Sequence, residues 1–204
     1  MKGPNLGENL SREWDEDPRS PELWDALKLA KSCAEGSPEK LIQLAENGSP
    51  LAMMYLGSAY IVGKYGLHPD HDTGEYWLMR SAAAGSIEGA HRLAVHSIKA
   101  GNPSKGLAEF RRLADLGYSP ALAALALEYD KGRFVDRDVN EALRYYRLAE
   151  KRGHLLASNQ ICFILMRWEM GPLSWARGLL KRMKLLIPFT VAYSKYPRSD
   201  RFVL

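Results

Sequence analysis

Glycine recurs at Gly48, Gly85, Gly117 and Gly153, at intervals of 37, 32 and 36 residues, and each one closes a stretch with helical apolar periodicity. Self-similarity at such a period marks stacked supersecondary units, none of which buries its apolar face alone. A chain under that constraint folds as a solenoid of helical hairpins rather than around one core of dissimilar elements. The expected class of function is therefore binding.

Counting forward from each glycine aligns the units. The fourth position is small in every case (Ala52, Gly89, Ala121, Ala157), and the eighth is large and aliphatic (Leu56, Leu93, Leu125, Ile161). The ninth is small again (Gly57, Ala94, Ala126, Cys162), and the twelfth carries Tyr60, Ser97, Tyr129 and Leu165. These positions lie on one arc of a 3.6-residue helix, where small residues admit a neighbour closely and large ones fill the space between. This is helix A of each unit.

Counting backward gives helix B. Trp77 and Tyr145 precede their glycine by eight residues, and Leu78, Phe110 and Tyr146 precede it by seven. Asp70, Asn102 and Asp138 each precede it by fifteen, where an Asx side chain accepts a backbone N–H and starts a helix. Pro103 suits the first turn, and the closing glycines suit left-handed C-caps. Each unit reads as helix A, loop, Asx cap, helix B, Gly.

Tyr60-Ile61-Val62-Gly63, Gly66-Leu67-His68-Pro69-Asp70 and Trp77-Leu78-Met79-Arg80-Ser81-Ala82 together resemble the Sel-1-like repeat, one of the tetratricopeptide-like helical hairpins. The stretch from Leu125 to Gly132 and from Val135 to Gly153, with Glu141-Ala142-Leu143-Arg144-Tyr145-Tyr146, is similar to the same pattern. The resemblance spans roughly residues 37 to 170. It implies adaptor or regulatory roles in which repeats hold protein partners together, in a bacterial-type cytoplasm. The second unit departs by its short Ala100-Gly101 turn, and Gly74 and Gly106 stand where the family has Ala in helix B.

The 204 residues, 46% hydrophobic and 25% charged, suit one repeat domain. Met1 to Ser20 is polar and lacks the apolar region of a secretory leader. Cys33 and Cys162 fall at unlike positions and make no disulfide framework, whereas secreted members of the resembled family often carry regularly spaced pairs. A cytoplasmic location is expected. Of the net charge of +4, residues 167–204 supply +6 and the rest −2, so the repeat body is mildly acidic and carries no basic stripe interleaved with aromatics. Nucleic acid is not an expected partner.

Leu173, Ala176, Leu179, Leu180, Met183, Leu186 and Ile187 recur at helical spacing with Arg177, Lys181, Arg182 and Lys184 mostly between them. The favoured reading is helix B of a capping hairpin that ends at Pro188, leaving 188–204 as a basic aromatic tail. The alternative is a basic amphipathic helix docked on an anionic inner-membrane surface through those four cations. A spanning helix is not expected, because Lys181, Arg182 and Lys184 interrupt the apolar run.

Catalytic patterns lack context. Ser37-Pro38-Glu39-Lys40 matches S-x-x-K, yet Ser37 followed by Pro38 is more simply a helix start, and no companion motif accompanies it. A serine hydrolase using Ser37 and Lys40 is the least favoured reading. His68, Asp70, His71 and Asp72 sit in a single loop where the repeat needs a cap, which is weak for zinc. His91, His96 and His154 are scattered without nucleophile or orienting partner. No enzyme, cofactor or metal is expected.

On helix A the third, sixth, tenth and thirteenth positions point away from the core arc, and many are apolar. Met54, Ser58, His91, Val95, Leu127, Asn159 and Phe163 are therefore the expected contacts for a protein or peptide partner. Burial by neighbouring helices is the competing explanation. Upstream, Ser20-Pro21 and Ser37-Pro38 open a shortened first hairpin, and residues 1–19 are expected to lack structure. The whole is read as an all-α, right-handed superhelical solenoid of about five antiparallel hairpins, at roughly 20–48, 49–85, 86–117, 118–153 and 154–187.

Overall fold

Each repeating glycine takes the left-handed conformation, with φ of 87° at Gly48, 91° at Gly85, 84° at Gly117 and 85° at Gly153. A Cβ would be strained there, which is why glycine alone recurs. The backbone closes in the same way at each site. The Gly48 N–H donates to the Ala45 carbonyl (3.0 Å) and the Ser49 N–H to that of Leu44 (3.1 Å), the paired bonds of a Schellman ending. Gly85 with Ser86, Gly117 with Tyr118, and Gly153 with His154 repeat both bonds.

The residue after the glycine then starts the next helix. Ser49 and Ser86 accept from the N–H groups of Ala52 (3.3 Å) and Gly89 (2.8 Å), and His154 does so through Nδ1 from Ala157 (3.1 Å). Tyr118 holds the equivalent place without a side-chain cap. One dipeptide thus ends one helix and opens the next.

The computed structural model describes residues 12–31, 37–167 and 170–195. Every regular element among them is helical: α1 (Glu13–Glu16), α2 (Ser20–Lys31), α3 (Ser37–Glu46), α4 (Pro50–Val62), α5 (His71–Ala83), α6 (Ile87–Lys99), α7 (Pro103–Asp115), α8 (Ser119–Lys131), α9 (Val139–Lys151), α10 (Leu155–Leu165) and α11 (Pro172–Lys195). Helices A are α4, α6, α8 and α10, each followed by its helix B. Asp70 and Asp138 cap α5 and α9 as their spacing predicts, accepting from Thr73 (3.0 Å) and from Asn140 and Glu141 (2.9 and 3.0 Å). Cys33 lies outside the described residues.

Two compact units form, one over residues 11–109 and one over 110–204. In the first, Leu23, Leu27, Leu41, Leu51, Leu56 and Leu78 build the core, flanked by Tyr60 and Leu93. In the second, Leu122, Ala126, Ala142, Leu143, Tyr146 and Ile161 do so. The helix-B glycines that depart from the family pattern have a packing reason. A Cβ on Gly74 would stand 2.5 Å from Ile61 Cγ1 and 2.9 Å from the Gly57 carbonyl, and one on Gly106 would stand 2.6 Å from the Ala94 carbonyl. Closer helix approach takes the place of a methyl group.

Two expectations are corrected at the ends. Residues 12–19 are not structureless: α1 places Trp14 edge-on against Trp24 and Tyr55. Pro188 does not end α11, which continues to Lys195. The carbonyl that loses its donor belongs to exposed Lys184, where water can serve it, and the Thr190 hydroxyl donates to Leu186 (2.9 Å) and Ile187 (3.0 Å).

Candidate functional site

The last hairpin differs from an ordinary core-facing one in which side of helix B it buries. Gly178 and Leu185, seven apart, lie on the face of α11 towards α10. A Cβ on Gly178 would meet Leu165 Cβ and Met166 Cγ at 2.9 Å and the Cys162 carbonyl at 3.0 Å, so the two helices touch closely there. Leu173, Leu180 and Ile187, also seven apart, lie on the outward face. Leu180 is 60% exposed and Ile187 74%, with Met183, Leu186 and Val191 also exposed beside them. An amphipathic helix normally turns this stripe inward.

Beside the stripe lies a groove of about 190 Å³ lined by Asn159, Arg182, Leu185, Leu186 and Thr190. The Arg182 guanidinium sits 4.5 Å from the centroid of the Phe163 ring, itself 37% exposed. Lys181 is held by Glu150 at 2.7 Å, while Arg177 and Lys184 are exposed at the edge of the apolar face. The α11 stretch Pro172–Lys195 contains five Lys or Arg residues and no acid. The surface therefore offers apolar contact, a recess and positive charge together.

The structure brings Asn159, Phe163 and Arg182 into this one neighbourhood, but it does not extend it to the other expected contacts. Met54 is 2% exposed within the first core and His91 is 1% exposed, so neither offers a contact surface. At the sixth position of α4, α6 and α8 packing wins, as buried Ala123 also shows. Ser58, Val95 and Leu127 are half-buried.

A second polar group was not legible as such in the sequence. Asp130 and Glu128 are both buried at the end of α8; Arg167 grips Asp130 through both terminal nitrogens (2.8 Å at Nη2), and Arg133 grips Glu128. Among the described residues buried Tyr146 has no hydrogen-bond partner for its hydroxyl, and burial followed by the charge of Asp130 pushes its pKa up. The paired charges brace the chain after α10 against α8.

Two other reactive side chains, Asp70 and Cys162, are engaged structurally. Asp70 caps α5 instead of joining its histidines, and its hydrogen bonds to Thr73 lower its pKa. Burial pushes the Cys162 thiol up, and it donates to the Ser158 carbonyl (3.2 Å). Lys40 is exposed on α3, and the side chain of Ser37 lies outside the described residues. Among the described residues no cluster of His, Cys, Asp or Glu fits a metal ion, and no helix is long and apolar enough to cross a membrane.

Two hairpins upstream of this surface have a family signature. The Sel1 repeat model matches residues 50–86 and 119–154. The chain carries two Sel1 repeats. Each match runs from the start of one helix A to the cap of the next, which is the unit marked by the recurring glycine. Sel1 repeats generally serve in protein–protein interaction, and their fold is typically a non-enzymatic scaffold.

Solved structures agree on the fold. A protective antigen of uropathogenic Escherichia coli displaying an SLR fold is 22% identical, with a TM-score of 0.57 over 89% of this chain and 40% of that one. A Sel1 repeat protein from Oxalobacter formigenes is 20% identical, with a TM-score of 0.57 over 78% of this chain and 47% of that one. A Pseudomonas aeruginosa protein is 20% identical, with a TM-score of 0.62 over 81% of this chain and 64% of that one. The chain thus spans less than two thirds of each of these structures. No curated protein sequence matches it.

Proposed function

We propose that this Sel1 repeat chain is a non-catalytic interaction module, an adaptor or regulator, that binds a peptide or protein partner on the open face of α10 and α11. The observation that carries the reading is the outward apolar stripe of α11 beside the groove at Asn159 and Arg182. Exposed patches of this kind mark interaction sites in soluble proteins. Phe163, Leu186 and Ile187 supply the apolar contact, and Arg177, Arg182 and Lys184 favour an acidic rim on the partner. The test is capture of host proteins on the full chain and on a Phe163→Asp/Ile187→Asp variant, quantified by mass spectrometry. A discrete partner retained by the first and lost by the second is expected; equal retention would reject this surface.

The second reading is peripheral attachment to an anionic inner-membrane surface through α11. Five cations and no acid on a helix whose apolar side is exposed favour it. Flotation with vesicles of phosphatidylcholine alone and with added phosphatidylserine separates the two. Salt-sensitive flotation only with the anionic lipid, lost in Leu180→Asp/Ile187→Asp, would favour the membrane.

A further inference from the structure

Residues 12–19 lie across two hairpin junctions of the first unit. Glu13 Oε2 accepts from Ser86 Oγ (2.5 Å) and Oε1 from the Glu88 N–H (2.9 Å), at the start of α6. Asp17 Oδ2 accepts from Ser49 Oγ (3.0 Å), at the start of α4. Each serine hydroxyl caps its own helix while donating outward to a carboxylate. Both carboxylates meet the positive end of a 13-residue helix. Between them Trp14 lies edge-on to Trp24 (6.1 Å, 88°) and Tyr55 (5.6 Å, 72°), and Arg19 donates to the carbonyls of Asn47 (2.7 Å) and Gly48 (3.1 Å).

Glu13 and Asp17 are four residues apart, and the serines they meet are 37 apart along the repeats, with the segment running against the repeat order. The repeat spacing sets the spacing of the carboxylates.

The hold is shallow. No residue of α1 is fully buried: Trp14 is half-buried against the core that Leu23, Leu27 and Leu41 fill. An open recess of about 170 Å³ lies beside the segment, lined by Glu13, Glu16, Asp17, Leu51 and Ser86 among others. Burial lifts the Glu13 pKa, opposed by the hydrogen bonds from Ser86, Glu88 and Ile87, with the nearby Glu16 charge adding to the rise. Segments with few buried contacts open at low free-energy cost.

We propose that the serine-capped edge of α4 and α6 is a recognition surface for acidic segments of partner proteins, with two carboxylates four residues apart and an aromatic residue after the first, and that residues 13–19 occupy it as a displaceable strap. Every contact described is one that a peptide can make in trans. Tethering gives the strap an effective concentration of order mM for a short linker, so a partner competes only when its affinity exceeds that bar or the strap is released. The surface is separate from the α10/α11 face, so different variants report on the two.

The probe is a fluorescein-labelled peptide of residues 12–20, titrated by anisotropy into the full chain and into full-length Glu13→Gln/Trp14→Ala/Asp17→Asn. Binding at least tenfold tighter to the emptied variant is expected. It is lost when Ser49→Asp and Ser86→Asp are added, because Asp preserves the helix cap while repelling carboxylates. A peptide with Gln and Asn at the acidic positions should not bind. Equal affinity for both chains, or none for a folded emptied variant, overturns the proposal. Should the emptied variant not fold, Ser86→Asp in the otherwise natural chain is compared by tryptic cleavage at Arg12 and Arg19. Cleavage at least tenfold faster with an unchanged circular dichroism spectrum is expected, and an unchanged rate overturns the proposal.

Discussion

Helices α4 and α10 hold the same place in their repeats, yet Met54 at the sixth position of α4 is sealed in a core while Asn159 at the sixth position of α10 lines a groove. At the tenth position Ser58 is half-buried and Phe163 is exposed. The same divergence holds for helix B: α5 buries Trp77 and Leu78, whereas α11 buries Gly178 and turns Leu180 and Ile187 outward. Repeat regularity fixes where a side chain points, but only the packed neighbour decides whether it is core or contact. On the proposed function, specificity belongs where regular burial stops.

The comparison breaks most visibly with a charge at each position. Met54→Asp places an ion in a close-packed core and should remove more than about 4 kcal/mol, abolishing cooperative unfolding of its unit. Phe163→Asp should cost about 1 kcal/mol or less, chiefly the stacked Arg182 contact. Urea unfolding of both variants checks the contrast. Next in size, Arg167→Ala removes the two-nitrogen partner of buried Asp130, leaves it Lys131 at 3.8 Å, and should cost about 3 kcal/mol. The same titration reads it, and Arg167→Ala combined with Asp130→Leu should recover part of the loss.

A finer test concerns the glycine that seats α11. Gly178→Ala gains helix propensity but pushes a methyl group against the Cys162 carbonyl, for a net loss of about 1 kcal/mol. Ala176→Gly, on a face without that contact, should cost a similar amount through propensity alone and leave the α10 packing unchanged. Near-ultraviolet circular dichroism distinguishes the two.

The smallest expected effect is of pH on the first unit. Burial lowers the pKa of His96 from 6.5, with Glu75 at 3.9 Å opposing the shift. The unfolded chain therefore takes up a proton before the folded one. The stability that neutral His96 contributes is present above pH 6.5 and is lost as pH falls through the lower folded value. Urea midpoints at pH 7.5 and 5.5 should differ more in the natural chain than in His96→Gln.

Much of this architecture was legible because it is local. Left-handed glycines and Asx caps are dictated by the chemistry of a few adjacent residues, so Gly48, Gly85, Asp70 and Asp138 sit where their spacing places them. The N-caps at Ser49, Ser86 and His154 had an equally local signal, one residue after each glycine, that the forward count passed over. The strap was hidden for a different reason. Asp17 pairs with Ser49 across 32 residues and Glu13 with Ser86 across 73, and a polar segment gives no sign of a distant hydroxyl. The open face was legible as residue types but not as a place, because Asn159 and Phe163 repeat positions that Met54 and Ser58 use for packing.

The most direct measurement is photo-crosslinking in the native host, with a photoreactive residue placed singly at Phe163, Arg182 or Ile187, and at exposed Tyr76 and Lys99 for comparison. One discrete protein adduct, shared by the three positions on α10 and α11 and absent from the other two, is expected. An adduct formed at Tyr76 or Lys99 and absent from the last hairpin would contradict the proposed function.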